Sequence, residues 1–138
     1  MGGGFNNLVS AASSTIGGCN RNTANGLAAT IAGGSGNRAT LTNAFIGGGY
    51  HNLASGEFSV VGGGGAGTII LHGPNQATAN ASTIGGGAGN TASGAGAFIG
   101  GGGWNGVFVS GNTAAGTASV VAGGTGNVIS STASFGTI

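Results

Sequence analysis

The feature that most constrains this chain is that it repeats itself. Residues 46–60 read IGGGYHNLASGEFSV, and residues 84–98 read IGGGAGNTASGAGAF. Both open with Ile-Gly-Gly-Gly, carry Asn at the seventh place and continue with Ala-Ser-Gly. Cutting before each Ile or Val that opens a Gly cluster divides the chain into units beginning at Met1, Ile16, Ile31, Ile46, Val61, Ile84, Ile99 and Val121. Six units have fifteen residues, the unit from Val61 has 23, the unit from Ile99 has 22, and residues 136–138 begin a ninth. After each long unit the pattern resumes in phase. Both extra segments, about 65–74 and 103–111, therefore enter at the same point of the repeat, between the Gly cluster and the Asn. Residues 1–138 read as a single repeat domain.

Aligned this way, the units form columns. Place one is Ile or Val after the initial Met, and place three is always Gly. Place seven is always Asn: Asn7, Asn22, Asn37, Asn52, Asn75, Asn90, Asn112 and Asn127. Place nine is Val or Ile at the ends and Ala between, and place fourteen is only Ser or Ala. Like residues at a fixed period stack when each repeat is one turn of a solenoid. Fifteen residues are too few for a helical hairpin and suit two short strands with two turns. Interior Gly also argues against helix, at roughly 1 kcal/mol each relative to Ala.

The columns thus predict an all-β fold, a parallel β-roll or β-solenoid of about eight coils. Strands are expected at places fourteen to two and eight to ten, with places one and fourteen facing in and fifteen facing out. Gly at places two to four and eleven is expected to supply turns with positive φ. The Asn column is expected to tolerate left-handed backbone and to form an amide ladder, each side chain bonding to the next coil. Phe45, Phe98 and Phe135 at place fifteen, with Val60 and Val120, predict an outward apolar row that calls for lateral association of several parallel copies. The pattern ends without the polar caps that solenoids usually carry, so a longer fibre or end-to-end stacking is also expected.

Composition removes several alternatives. Gly contributes 36 of 138 residues, against a usual ~7%, but without the three-residue period of collagen. Charged residues are 2%, namely Arg21, Arg38 and Glu57, unlike the charged composition of most disordered chains. A formal net charge of +1 provides no basic surface for nucleic acid. No apolar run is long enough for a membrane-spanning helix, and the opening MGGGFNNLVS lacks the basic and apolar regions of a signal peptide. One cysteine, Cys19, allows no internal disulfide.

Catalytic chemistry has little to work with. Glu57 is the sole carboxylate, which rules out a paired-carboxylate mechanism within one chain. His51, His72 and Cys19 are too few and too scattered for a metal site. The GGGGAG stretch at 62–67 lacks the Lys-Ser/Thr ending of a phosphate loop. No catalytic residue, metal or cofactor is expected. The Asn-Ala-Ser at 80–82 matches a glycosylation acceptor at the level of chance.

The unusual residues lie in the two extra segments. AGTIILHGP (66–74) and WNGVFVSGN (104–112) hold the one Trp and the longest apolar run, and both read as short β-hairpins bounded by Gly. Ile69, Ile70, Leu71, His72, Trp104, Val107 and Phe108 are the candidate contact residues. They would meet either an external receptor or glycan or a neighbouring copy of the chain.

The stretch ASTIGGGAGNTASGAGAFIGGG resembles the head repeats of trimeric autotransporter adhesins, which also occur in virus and phage tail-fibre proteins. The unit here is a residue longer and carries a Gly triplet. The resemblance implies a left-handed parallel β-roll, packed as an intertwined or side-by-side homotrimer. It also implies a non-enzymatic adhesive or structural role on a virion or cell-surface appendage, outside the cell. Two other readings fit the repeat: a self-assembling extracellular filament, and an ice-binding solenoid using the Ser/Thr of place ten.

Overall fold

A computed structural model describes residues 2–67 and 72–138. The fold is an all-β parallel solenoid. Eight two-residue strands at places eight and nine form one sheet: Leu8–Val9, Thr23–Ala24, Arg38–Ala39, Leu53–Ala54, Gln76–Ala77, Thr91–Ala92, Thr113–Ala114 and Val128–Ile129. Seven more at places fifteen and one form a second sheet: Thr15–Ile16, Thr30–Ile31, Phe45–Ile46, Val60–Val61, Thr83–Ile84, Phe98–Ile99 and Val120–Val121. Every pairing within these two sheets is parallel, each strand bonding to its equivalent one coil away. The register survives both long units, with Leu53 opposite Gln76 and Thr91 opposite Thr113. Among the described residues no helix is long and apolar enough to cross a membrane.

Alternation along the strands accounts for the core. Ile16, Ile31, Ile46, Val61, Ile84, Ile99 and Val121 at place one are fully buried, and the small residues of places nine and fourteen pack around them. Ser and Ala exchange freely at place fourteen for a local reason. Each buried Ser59, Ser82 and Ser119 hydroxyl donates to the place-eleven carbonyl of its own coil, at 2.7 Å from Gly56, Ala79 and Gly116. A buried hydroxyl that finds an acceptor within its own turn avoids the penalty of an unsatisfied polar group.

The Asn column is the second half of the interior, and its side chains bond to the next coil chiefly through main-chain groups. Each side-chain oxygen accepts the backbone N–H of the next Asn, from Asn22 N–H to Asn7 Oδ1 at 3.0 Å through Asn127 N–H to Asn112 Oδ1 at 3.0 Å. Each inner Nδ2 donates twice. For Asn37 the acceptors are the carbonyl of Gly33 in its own coil at 3.1 Å and of Gly49 in the next at 3.0 Å. Direct amide-to-amide bonds occur only as additions, from Asn90 to Asn75 and from Asn112 to Asn90, both 3.1 Å. The side chain ties main chain to main chain across two coils, and no buried side-chain polar atom lacks a partner among the described residues.

The turns correct the sequence reading. Left-handed backbone recurs at places four, six and thirteen, not at places seven or eleven. At place thirteen it falls on Ser13, Ala28, Asn43, Phe58, Ala81, Gly96, Ala118 and Phe135, with φ of 51° to 66°. Glycine at place eleven answers a different need, close stacking. A Cβ on Gly26, Gly56, Gly94 or Gly116 would sit 2.0–2.2 Å from the next coil's carbonyl oxygen.

The last coil departs from the expected phase. Val120 pairs with Thr137, and the Phe135 N–H donates to the carbonyl of Thr117 at 2.7 Å, the bond made by place thirteen elsewhere. Phe135 therefore occupies place thirteen rather than fifteen, and the next coil opens at Ile138, not Gly136. Ser131 and Thr132 form a two-residue insertion at the corner, before Ala133 resumes place eleven. They displace the glycine that closes this corner in four other coils.

Candidate contact surface

Both extra segments leave the solenoid at place five. The first opens at Gly65, whose N–H donates to Gly87, and returns at Gly73, whose carbonyl accepts the Gly89 N–H at 2.7 Å. The second opens at Gly103, bonded to Gly124, and returns at Ser110, which accepts from Gly126. The insertions themselves are thus 65–72 and 103–109, slightly shorter than the sequence reading. Both are antiparallel hairpins: Ala66–Gly67 pairs with His72–Gly73, and Trp104 pairs with Val109.

The tip of the second hairpin is set by Asn105. Its side-chain oxygen accepts the N–H groups of Val107 at 2.9 Å and Phe108 at 2.8 Å, and Gly106 takes φ 93°. Folded this way, the hairpin holds Trp104, Val107 and Phe108 outward at 45%, 62% and 67% exposure. Val109 turns back onto the solenoid. Its Cγ1 lies where a Cβ on Gly89 or Gly73 would be, 2.6 and 2.8 Å away, so the second hairpin rests against the base of the first. Ile69, Ile70 and Leu71 lie outside the described residues, and His72 is placed by its backbone alone. The structure therefore puts Trp104, Val107 and Phe108 on one tip. Six of the eight Asn of the ladder are buried in the interior, away from it, and Asn7 and Asn127 are half-buried at its ends.

Sequence reasoning passed over Tyr50, which shares this corner of the repeat with His51. Tyr50 and His51 occupy places five and six of the coil before the first hairpin, with ring centroids 4.2 Å apart. Their place in the repeat was the available signal, since both extra segments enter at this corner. Among the described residues no group of three His, Cys, Asp or Glu comes together and no cavity opens.

Two further surface rows run the length of the solenoid. Place fifteen presents Phe45 and Phe98, whose rings lie 3.6 Å from where a Cβ on Gly47 and Gly100 would be. Beside it runs the glycine of place three. At Gly63, Gly86 and Gly123 the backbone is not left-handed, and an added Cβ would meet no atom within 4 Å. At these three positions nothing within one chain demands glycine, whereas Gly3, Gly18 and Gly48 of the same column take positive φ. On the opposite sheet places eight and ten face outward, but Arg38, Leu53 and Gln76 interrupt the hydroxyl rows. No protein-family model matches this chain, and no curated protein matches it significantly.

Proposed function

We propose that this chain is a non-enzymatic structural and adhesive fibre segment: a rod of stacked coils that self-associates laterally, as a homotrimer, and presents its hairpins to an external surface. A tail fibre of a virus or phage, or a bacterial surface adhesin, is the setting that the repeat resembles. The observation that carries the reading is the pairing of two rows along one edge. An outward row in which Phe45, Val60, Phe98 and Val120 are interspersed with Thr runs beside a glycine column that is invariant in all eight coils, yet in three of them has both open space around it and no left-handed backbone. Glycine without an internal reason suits a backbone that something else approaches closely, and partly exposed Phe and Val side chains along one edge suit burial against a partner. A copy of the same solenoid presents a matching period along its whole length. The hairpin tip supplies the adhesive part: aromatic side chains on a loop, held by a rigid scaffold.

The test is deletion of residues 103–109, which joins Gly102 to Ser110 and restores a fifteen-residue coil. The shortened chain should fold and self-associate as the parent does and lose retention on immobilised glycans. Retention unchanged by the deletion, or a parent chain that binds no glycan, would contradict the adhesive half of the reading.

A further inference from the structure

The hairpin tip carries a reactive dipeptide. The chain has two Asn-Gly pairs, Asn25–Gly26 and Asn105–Gly106, and the fold treats them in opposite ways. Gly26 is buried in the stack. Its N–H faces the Ala39 carbonyl at 3.4 Å, the Asn25 N–H bonds the same oxygen at 3.1 Å, and a Cβ on Gly26 would strike the next coil's Leu41 carbonyl. Gly106 is exposed, has open space around it, and its N–H meets no acceptor among the described residues. The two hydrogen bonds from Val107 and Phe108 hold the Asn105 side-chain carbonyl against the main chain two and three residues on. The same donors draw electron density from that carbonyl, and would stabilise the oxyanion formed when a nucleophile adds to it.

We propose that Asn105 is a site of spontaneous deamidation that slowly converts this hairpin tip from neutral to anionic. The backbone nitrogen of Gly106, giving its proton to water, attacks Cγ of Asn105. The Cγ–Nδ2 bond breaks and Nδ2 leaves as ammonia, closing a five-membered succinimide. Water then opens the ring. Hydrolysis at Cγ gives aspartate, and hydrolysis at the former main-chain carbonyl gives isoaspartate, with the chain now running through the side chain. Water is the only co-reactant and no oxidation state changes. The lack of a side chain on Gly106 leaves its nitrogen unhindered.

The consequence is large for a chain this poor in charge. A second carboxylate joins Glu57 and takes the formal net charge from +1 to zero. It does so between the exposed rings of Trp104 and Phe108, and the isoaspartate form lengthens the main chain inside the turn that aligns Trp104 with Val109. If this tip is the adhesive contact proposed above, its affinity falls as the protein ages. That consequence rests on the functional reading, whereas the chemistry does not.

The experiment incubates the full chain, folded and in guanidinium, at mildly alkaline pH, and follows amide loss and isoaspartate by mass spectrometry of chymotryptic peptides. In denaturant the two Asn-Gly pairs should react alike. In the folded protein Asn105 should keep its denatured rate or exceed it. Asn25, whose backbone must first open, should fall at least about tenfold below its own denatured rate. Asn105→Gln should keep the tip neutral throughout. Protection of Asn105 as strong as that of Asn25 would overturn the proposal, as would an acid product that forms first at any other Asn of the folded chain. Neither result bears on glycan retention by fresh protein, so this inference and the functional reading fail separately.

Discussion

The side-chain oxygen of Asn37 accepts the backbone N–H of Asn52 at 2.9 Å, and the same bond links every successive pair in the column. It is indifferent to how much chain lies between. Asn52 and Asn75 are 23 residues apart and keep it at 3.0 Å, while Asn90 and Asn112 are 22 apart and keep it at 2.9 Å. The ladder therefore holds the coils in register across both hairpins, which explains how a thin solenoid accommodates insertions without slipping.

Replacing one rung should be costly. Asn52→Ala leaves the Asn75 N–H and the carbonyls of Gly48 and Gly64 without their side-chain partner, and buried unsatisfied groups cost about 1–3 kcal/mol each. A loss of about 3 kcal/mol in chemical denaturation is expected once partial relaxation is allowed for.

Asn52→Asp should add a pH dependence with a definite sign. Its carboxylate would be buried and would face two carbonyl oxygens, both of which disfavour the charged form and raise its pKa. The protonated acid can donate to one of them. The variant should therefore be most stable at low pH and lose stability as pH rises through the raised pKa, when its denaturation midpoint is compared with the parent's across pH.

Strain at place thirteen can be relieved. Ala28, Ala81 and Ala118 hold φ of 51° to 57°, a conformation that costs a residue with a Cβ roughly 1–2 kcal/mol. Allowing for the greater freedom that Gly loses on folding, Ala81→Gly should stabilise by about 0.5–1 kcal/mol. Gly96→Ala, at the same place with no atom closer than 4.0 Å, should destabilise by a similar amount. Thermal midpoints that move the other way would refute the assignment.

The two kinds of glycine should separate coil from assembly. Gly56→Ala forces a Cβ to 2.0 Å from the Ala79 carbonyl oxygen and should cost about 2–3 kcal/mol within the single chain. The double change Gly63→Ala and Gly86→Ala meets open space and should leave that stability nearly unchanged while weakening self-association. Phe45→Thr with Phe98→Thr should behave likewise, because Thr already fills place fifteen at Thr15, Thr30 and Thr83.

Much of this was legible because a solenoid repeats its environment, so each column of the sequence reports one position in space. Ile at place one, small residues at fourteen and Phe at fifteen read directly as in, in and out. The Asn column was legible as a ladder, but not its wiring, since a side chain can bond its neighbour's main chain as readily as its amide. Glycine misled for a related reason: composition does not say whether a position needs left-handed backbone, as at Gly49, or close approach, as at Gly56. The last coil was misread because Phe135 imitates Phe45 and Phe98. The apolar residue missing at Gly136 and present at Ile138 was the signal that two residues had been added.

The central claim is lateral assembly of whole solenoids, and the mass in solution tests it most directly. Sedimentation or native mass spectrometry over a concentration series should show one stable species at three times 12.6 kDa. A folded species of a single 12.6 kDa chain at every concentration, or a ladder of masses lengthening without limit, would contradict it.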